Sequence, residues 1–512
     1  MPATTSLRVS NTGATATKSM TTRLLWCAAA VALAASLSLV TRDAAALPDK
    51  PFVEDAFYAL SVSRQIGAGH GFTIDGVQAT NGVQPLYVVL MAPLYWMTGG
   101  ERTGTLRLVL GFEWLCWTAA AFGAARLARR WWGSQSAPPA WLTPAAILAW
   151  AGSVHLWRQS LNGLETGLDL ALLTWTCVTY LGMDRTRTAA YVRFGVLLGV
   201  LVLARIDAVF LVILFAAAEL ARTGGPSRLA RAATVSLVAA ALSSPWWIYN
   251  YAAFGSIMPT SGQATAGSHF GEWGSERLLL GAAAAGVAPF AWFARWEGAA
   301  AQVLRAILAV AIVFAACRIA SKRRRDDPSL AALTVVWLAF VASLAVWYLC
   351  RSRMNFFYPR YLVPAAVLGV PVAVAAAARL AAGRDWLAVA AALPLTVTSC
   401  VCPWLAADGA GNGMYRDQLQ LVLRGVPATD RVAAQQSGTL GYFRDGVVNL
   451  DGKVNPEILA QRGRIEPWLE KEDLRWFCDN RSLVRGALGK DPAAHGWREV
   501  ASSGQFVLYR RE

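Results

Sequence analysis

The sequence predicts an α-helical polytopic membrane protein carrying a small C-terminal α/β domain. Three observations predict it. Of 512 residues, 55% are hydrophobic and only 15% charged, whereas a soluble domain is about 25% charged. Apolar runs that we read as helical spans recur at roughly 23–41, 106–125, 141–157, 167–182, 191–204, 208–221, 229–247, 300–320, 329–349, 362–378 and 386–404, a span needing about 20 such residues. Beyond residue 405 the runs stop, and Asp408–Glu512 holds 15 basic and 14 acidic residues, soluble proportions. The composition excludes a disordered chain, a collagen and an ordinary cytosolic enzyme. We divide the chain into a transmembrane domain, 1–405, and an α/β domain, 406–512.

The eleven runs are oriented by charge. The net charge of +15 falls almost wholly before residue 406. It clusters in alternate loops: Arg8/Lys18/Arg23, Arg126/Arg129/Arg130, Arg185/Arg187, Arg222/Arg228/Arg231, Lys322/Arg323/Arg324/Arg325 and Arg379/Arg384. The positive-inside rule makes these cytoplasmic, with the N-terminus in and the tail out. The basic excess is therefore a topological signal, and no nucleic-acid partner is expected. The first run has signal-peptide flavour, with Ala44–Ala46 as a cleavage candidate. Its apolar stretch exceeds a usual signal core, which favours an uncleaved anchor. A twelfth run, 85–98, is short and starts at Pro85. As a span it would reverse every later basic loop, so we read it as re-entrant or interfacial on the outer face. The eight Cys show no framework spacing; Cys400 and Cys402 end the last span and Cys478 lies in the tail, which leaves a bridge among them open.

Two long stretches, 42–105 and 250–299, then fall outside with the tail, and long ordered loops on one face are where chemistry is usually placed. In the first, Glu54 and Asp55 precede an amphipathic helix with Ala56, Leu60 and Ile66 on one side. Neighbours on a helix point about 100° apart, so one of the pair can aim into a given pocket. Carboxylates beside a bilayer are costly unless used or hydrated. They read either as a general base or metal ligand or as acids favoured in a helix's first turn. Gly67, Gly69, Gly71 and Gly76 punctuate the next stretch, with His70 among them. No second His or Cys stands at metal spacing, so zinc is not expected. Carboxylates alone would suit Mg²⁺ or Mn²⁺, which leaves a divalent cation open.

Glu54-Asp55 is followed by Ala56-Phe57-Tyr58, then Ala68-Gly69-His70-Gly71-Phe72-Thr73, then Thr80-Asn81-Gly82-Val83-Gln84-Pro85-Leu86-Tyr87. This order resembles the first periplasmic loop of GT-C glycosyltransferases, multispan enzymes that move a sugar from a polyprenyl-phosphate donor. The nearest subgroup holds mycobacterial terminal arabinofuranosyltransferases and protein mannosyltransferase-like relatives. Asn162-Gly163-Leu164-Glu165-Thr166, Ala204-Arg205-Ile206-Asp207, Pro245-Trp246-Trp247 through Asn250, Met258-Pro259-Thr260 and Arg360-Tyr361 resemble later motifs of the same subgroup.

The resemblance implies a multi-pass enzyme of the bacterial inner membrane, working on its outer face. It implies inverting transfer of a sugar to a glycan, lipid or protein acceptor. It carries the essential acid to the 54–55 pair, with Asp55 the first choice and Glu54 the second. Substrate contacts are expected from Glu165, Arg205, Asp207, Arg353, Arg360 and Tyr361, with Asn81, Gln84 and His70 from the first loop. Each has a plainer reading. Arg205 and Asp207 could simply pair. Arg353 and Arg360 could snorkel within an aromatic belt. Glu165 could mark a helix start. Arg64, Arg158 and Arg351 are the other outer cations, and Gln263, His269, Trp246, Trp247, Trp273 and Trp292 are further outer candidates. A transporter would instead show mid-span charges and an internal repeat, and neither is clear. A non-catalytic envelope assembly factor would tolerate neutral residues at 54 and 55.

In the tail, a helical stretch over 415–426 precedes short apolar strands and Gly-containing turns, closing on a hairpin around Ser502–Gly504. Gly438–Tyr442 and Asn449–Gly452 resemble tail segments of the subgroup. The glycine spacing is not a dinucleotide fingerprint. Acceptor handling or lid duty is the expectation.

Overall fold

The computed structural model describes residues 12–43, 46–133, 136–222, 227–289, 299–381, 384–408, 413–461 and 465–512. Arg8, Ala44, Ala45, Trp292 and the side chains of Lys18 and Cys402 lie outside the described residues. The helical part runs α1 (Thr12–Leu37), α2 (Glu54–Gly67), α3 (Pro85–Met97), α4 (Thr105–Trp132), α5 (Leu142–Ala151), α6 (Val154–Ser160), α7 (Thr166–Gly182), α8 (Thr188–Ala204), α9 (Val209–Ala221) and α10 (Ser227–Phe254). It continues with α11 (Thr260–Ala264), α12 (Trp273–Val287), α13 (Ala299–Lys322), α14 (Pro328–Arg351), α15 (Tyr358–Leu362), α16 (Ala366–Leu380) and α17 (Asp385–Asp408).

Every apolar run is helical. Among the described residues, six helical segments are long and apolar enough to cross a bilayer: Ser19–Leu37, Thr105–Trp132, Ser227–Phe254, Ala300–Lys322, Pro328–Arg351 and Asn355–Leu380. The run at 141–157 is broken between α5 and α6, where the Ser153 side chain caps the second helix by accepting from Leu156 N. α3 is 13 residues long, opens on Pro85 as a first-turn residue, and buries Tyr87, Val88, Met91 and Tyr95. It packs on α2, so the stretch 42–105 holds a folded helical hairpin.

The second outer stretch departs from expectation. α10 extends to Phe254, and α11 and α12 occupy what the sequence suggested was loop. α12 is too short for a span, yet it packs against α13 and α15. Glycine makes that approach close: a Cβ on Gly286 would lie 2.3 Å from the Leu362 carbonyl oxygen, and one on Gly369 2.1 Å from that of Val287.

The tail holds α18 (Gly413–Gly425), β1 (Val432–Ala434), α19 (Gly438–Phe443), β2 (Val447–Asn449), α20 (Pro456–Ala460), α21 (Ile465–Lys471), β3 (Trp476–Asn480), α22 (Arg481–Leu488), β4 (Trp497–Ser503) and β5 (Phe506–Arg511). The sheet order is β2-β1-β3-β5-β4. β1 is parallel to β2 and β3, while the β4–β5 hairpin runs antiparallel beside β3. The hairpin turns where expected. Cys478 is a buried free thiol in β3, and Cys400 is free as well.

The tail is docked on the α2–α3 hairpin. Phe57 and Tyr442 pack with centroids 5.1 Å apart and planes tilted by 50°, and the Tyr95 and Tyr442 hydroxyls share a hydrogen bond of 2.9 Å. Arg64 and Arg102 both pair with Asp445, and Arg102 also donates to the Phe443 carbonyl. Tyr87, Tyr95, Tyr442 and Val454 share one buried cluster.

Candidate active site

Where the α2–α3 hairpin, the helical bundle and the tail meet, a cavity of about 790 Å³ opens, within the roughly 300–1,000 Å³ typical of ligand sites. Its polar lining includes Asp55, Gln84, Glu165, Arg205, Asp207, Gln263, Arg351, Arg360 and Lys453. Its apolar wall includes Val209, Phe210, Trp247, Ile257, Met258, Trp347 and Phe357.

The acidic pair is divided by the helix geometry. Glu54 is buried and faces the tail, where its carboxylate accepts from Gly438 N, Thr439 N and Thr439 Oγ1 at the start of α19. It does not line the cavity. Burial pushes its pKa up to about 7, although those three donors hold it down in part. Asp55 lines the cavity, with Lys453 Nζ 3.1 Å from Oδ1 and Arg360 Nη1 3.4 Å from Oδ2. Burial alone would raise Asp55, but the two cations outweigh it and hold the carboxyl below its ordinary value. It is an ionised acceptor aimed into the site.

A second polar centre is built on Arg205, in the extended break between α8 and Asp207. Its guanidinium lies 2.6 Å from Asp207, 3.1 Å from Glu165 and 3.8 Å from Asp169. The ion pair with Asp207 anticipated from their spacing is therefore present, extended by two carboxylates of the α7 region. Asp207 also accepts from Tyr348 Oη at 2.7 Å, and the Tyr348 ring stacks on Tyr361 at 3.7 Å. Glu165 precedes α7, but its side chain makes no cap hydrogen bond to that helix. The turn before it is held from beneath: buried Glu113 accepts from Gly163 N at 3.1 Å and from Tyr87 Oη at 2.9 Å. Gln84 ties the first loop to this centre by accepting from Ile206 N.

Thus Asp55, Glu165, Arg205, Asp207, Arg360, Tyr361 and Gln84 converge on one cavity. Arg353, His70 and Asn81 do not line it. Arg353 is exposed, and its side chain packs over Gly267. His70 is exposed and bonds Gln65 at 2.8 Å. Asn81 is buried and accepts from Thr260 N, joining the stretches 42–105 and 250–299. His269 bonds Glu272 and the Arg353 carbonyl. Arg64 is taken by Asp445.

Sequence reasoning missed Lys453, Tyr58 and Tyr348. Lys453 follows the Asn449–Gly452 turn noted in the tail, and that turn was its only signal. Its ammonium stands between Asp55 and Asp451, at 3.1 and 3.6 Å. Burial alone would lower its pKa, but those two carboxylates raise it and keep it charged. A divalent cation shared by Asp55 and Asp451 does not fit, because the ammonium fills that place. Among the described residues no three His, Cys, Asp or Glu side chains converge for a metal.

The sequence matches no protein-family model and no curated protein. Solved structures do share the fold. ArnT from Cupriavidus metallidurans, bound to undecaprenyl phosphate, superposes with a TM-score of 0.60 over 94% of this chain and 97% of that one, at 14% identity. The Archaeoglobus fulgidus oligosaccharyltransferase in complex with Zn and sulfate gives 0.55 over 95% and 73%, at 13% identity. The mycobacterial arabinofuranosyltransferase AftD gives 0.50 at 15% identity, with 94% of this chain covering 39% of that one. The architecture is the GT-C fold with a small C-terminal sheet, as the motifs suggested.

Proposed function

We propose that the protein is a membrane glycosyltransferase that moves a sugar from a polyprenyl-phosphate donor to an envelope acceptor on the outer side of the bacterial inner membrane. The observation that carries this reading is Asp55. It is an ionised carboxylate facing a cavity that also offers cations and an apolar wall. The GT-C fold supports the reading, as do the neighbours whose names describe glycosyl transfer and a bound polyprenyl phosphate.

The chemistry follows from three needs. The leaving phosphate requires fixed positive charge, and Arg360 supplies it. Its guanidinium is carried on the Phe357 ring at 4.4 Å. The acceptor hydroxyl requires a base, and Asp55 supplies it. The lipid requires an apolar bed, which Phe210, Trp247, Trp347 and Met258 line. In a single displacement, the acceptor oxygen attacks the anomeric carbon as the carbon–oxygen bond to phosphate breaks. The bonding pair leaves with the polyprenyl phosphate, and the hydroxyl proton passes to Asp55. Glu165, Asp207 and Tyr348 offer acceptors to hydroxyls of the sugar or its acceptor.

Incubating membranes that hold the protein with a panel of polyprenyl-phosphate sugars tests this. One donor should be consumed, with free polyprenyl phosphate released in step. Consumption of none, by protein shown to be folded, would refute the reading.

A further inference from the structure

The tail was expected to handle acceptor or act as a lid, yet Lys453 lies inside the cavity beside the proposed base. Three observations bear on what it does there. First, Asp55 is bracketed by cations from the two domains, Lys453 on Oδ1 and Arg360 on Oδ2. Second, both cations share one aromatic plate. Lys453 Nζ lies 5.6 Å and the Arg360 guanidinium 4.4 Å from the Phe357 centroid. That plate holds two like charges close together in a partly buried place, where Asp55 is the anion that joins them in the empty site. Third, donors remain to spare. Arg360 Nε is buried with no partner among the described residues, and an ammonium has three N–H groups for the two carboxylates that Lys453 meets.

The lysine's backbone is also fixed. Its carbonyl accepts from Thr260 Oγ1 at 2.8 Å, and its N–H donates to Asp451 at 2.8 Å. A Cβ on Gly82 would lie 1.8 Å from that carbonyl oxygen, so residue 82 is small because the tail sits against it. The Glu54-Asp55 dipeptide grips the tail twice: Glu54 holds α19, and Asp55 holds Lys453.

We propose that Lys453 and Arg360 form one bipartite phosphate site, half from each domain, that binds the phosphate of the lipid-linked donor only while the tail is docked. This rests on the glycosyltransferase reading and adds a residue and a domain to it. The tail is then part of the active centre. In the empty site Asp55 bridges the two cations, and a phosphate, with more oxygens and more charge, competes for both.

The test uses the full chain in nanodiscs, with undecaprenyl phosphate and undecaprenol as probes. Wild type should bind the phosphate form more tightly. Lys453→Met should erase at least about tenfold of that preference, the scale of one lost charge-assisted hydrogen bond. Lys453→Arg should restore most of it. Undecaprenyl phosphate, but not undecaprenol, should protect Lys453 of the wild-type chain from reductive methylation. That readout is independent of how any variant folds. Unchanged discrimination in Lys453→Met, or no protection of Lys453, overturns the proposal. If wild type itself does not distinguish the two lipids, the glycosyltransferase reading falls too. The two failures are therefore distinguishable.

Discussion

Replacing Glu54 by alanine should loosen the tail from the transmembrane domain without touching the cavity wall. The Glu54 carboxylate is the acceptor for two backbone N–H groups and one hydroxyl at the start of α19. Alanine leaves Gly438 N and Thr439 N in a buried interface with no acceptor from residue 54. An orphaned buried donor costs roughly 1–3 kcal/mol, so docking should weaken by about 2–6 kcal/mol. The pH dependence has a defined sign. The folded pKa is about 7 against an ordinary 4.5, so between these values the docked state binds more protons than the undocked one. Docking therefore weakens as pH rises from 4.5 through 7, by up to about 3 kcal/mol. Glu54→Gln cannot titrate and should abolish that component, while Asp479, held up to about 6 by burial in the tail, titrates in both proteins. Hydrogen exchange of the α19 amides, followed by mass spectrometry from pH 5 to 8, reads the effect. Wild-type protection in Glu54→Ala, or the same pH slope in Glu54→Gln as in wild type, would refute the reasoning.

Further outcomes follow from the same contacts. Arg205→Met leaves Glu165, Asp169 and Asp207 together without their cation and should destabilise the transmembrane domain by about 3–5 kcal/mol. Thermal inactivation in detergent measures it, and Asp207→Asn in the same chain should recover part of the loss. Gly82→Ala places a Cβ against the Lys453 carbonyl and Thr260, so it should raise α19 exchange and lower transfer together. Loss of one without the other would break the link between docking and site.

The helical bundle was legible because hydropathy over about 20 residues is a local property. α12 was not, because its docking depends on glycines at 286 and 369 meeting partners from other segments. The Arg205–Asp207 pair was legible because the two lie only two positions apart in sequence. Which member of the 54–55 pair faces the cavity was not. That is decided by α19, 384 positions away in the chain. Lys453 meets Asp55 across 398 positions, and no local pattern marks such a contact beyond the turn that precedes it. Arg353 and Arg360 looked alike in one short aromatic loop, but their side chains meet different partners. Arg360 lies on α15 and faces the cavity, while Arg353 turns toward Gly267.

The most direct measurement is sugar transfer by purified Asp55→Asn beside wild type, using whichever polyprenyl-phosphate sugar wild type consumes. Asparagine keeps the size of the side chain and removes its capacity to take a proton. Transfer should fall by about 10²–10⁴-fold, with α19 exchange showing the tail still docked. A variant that turns over at the wild-type rate would contradict the assignment of Asp55 as the base.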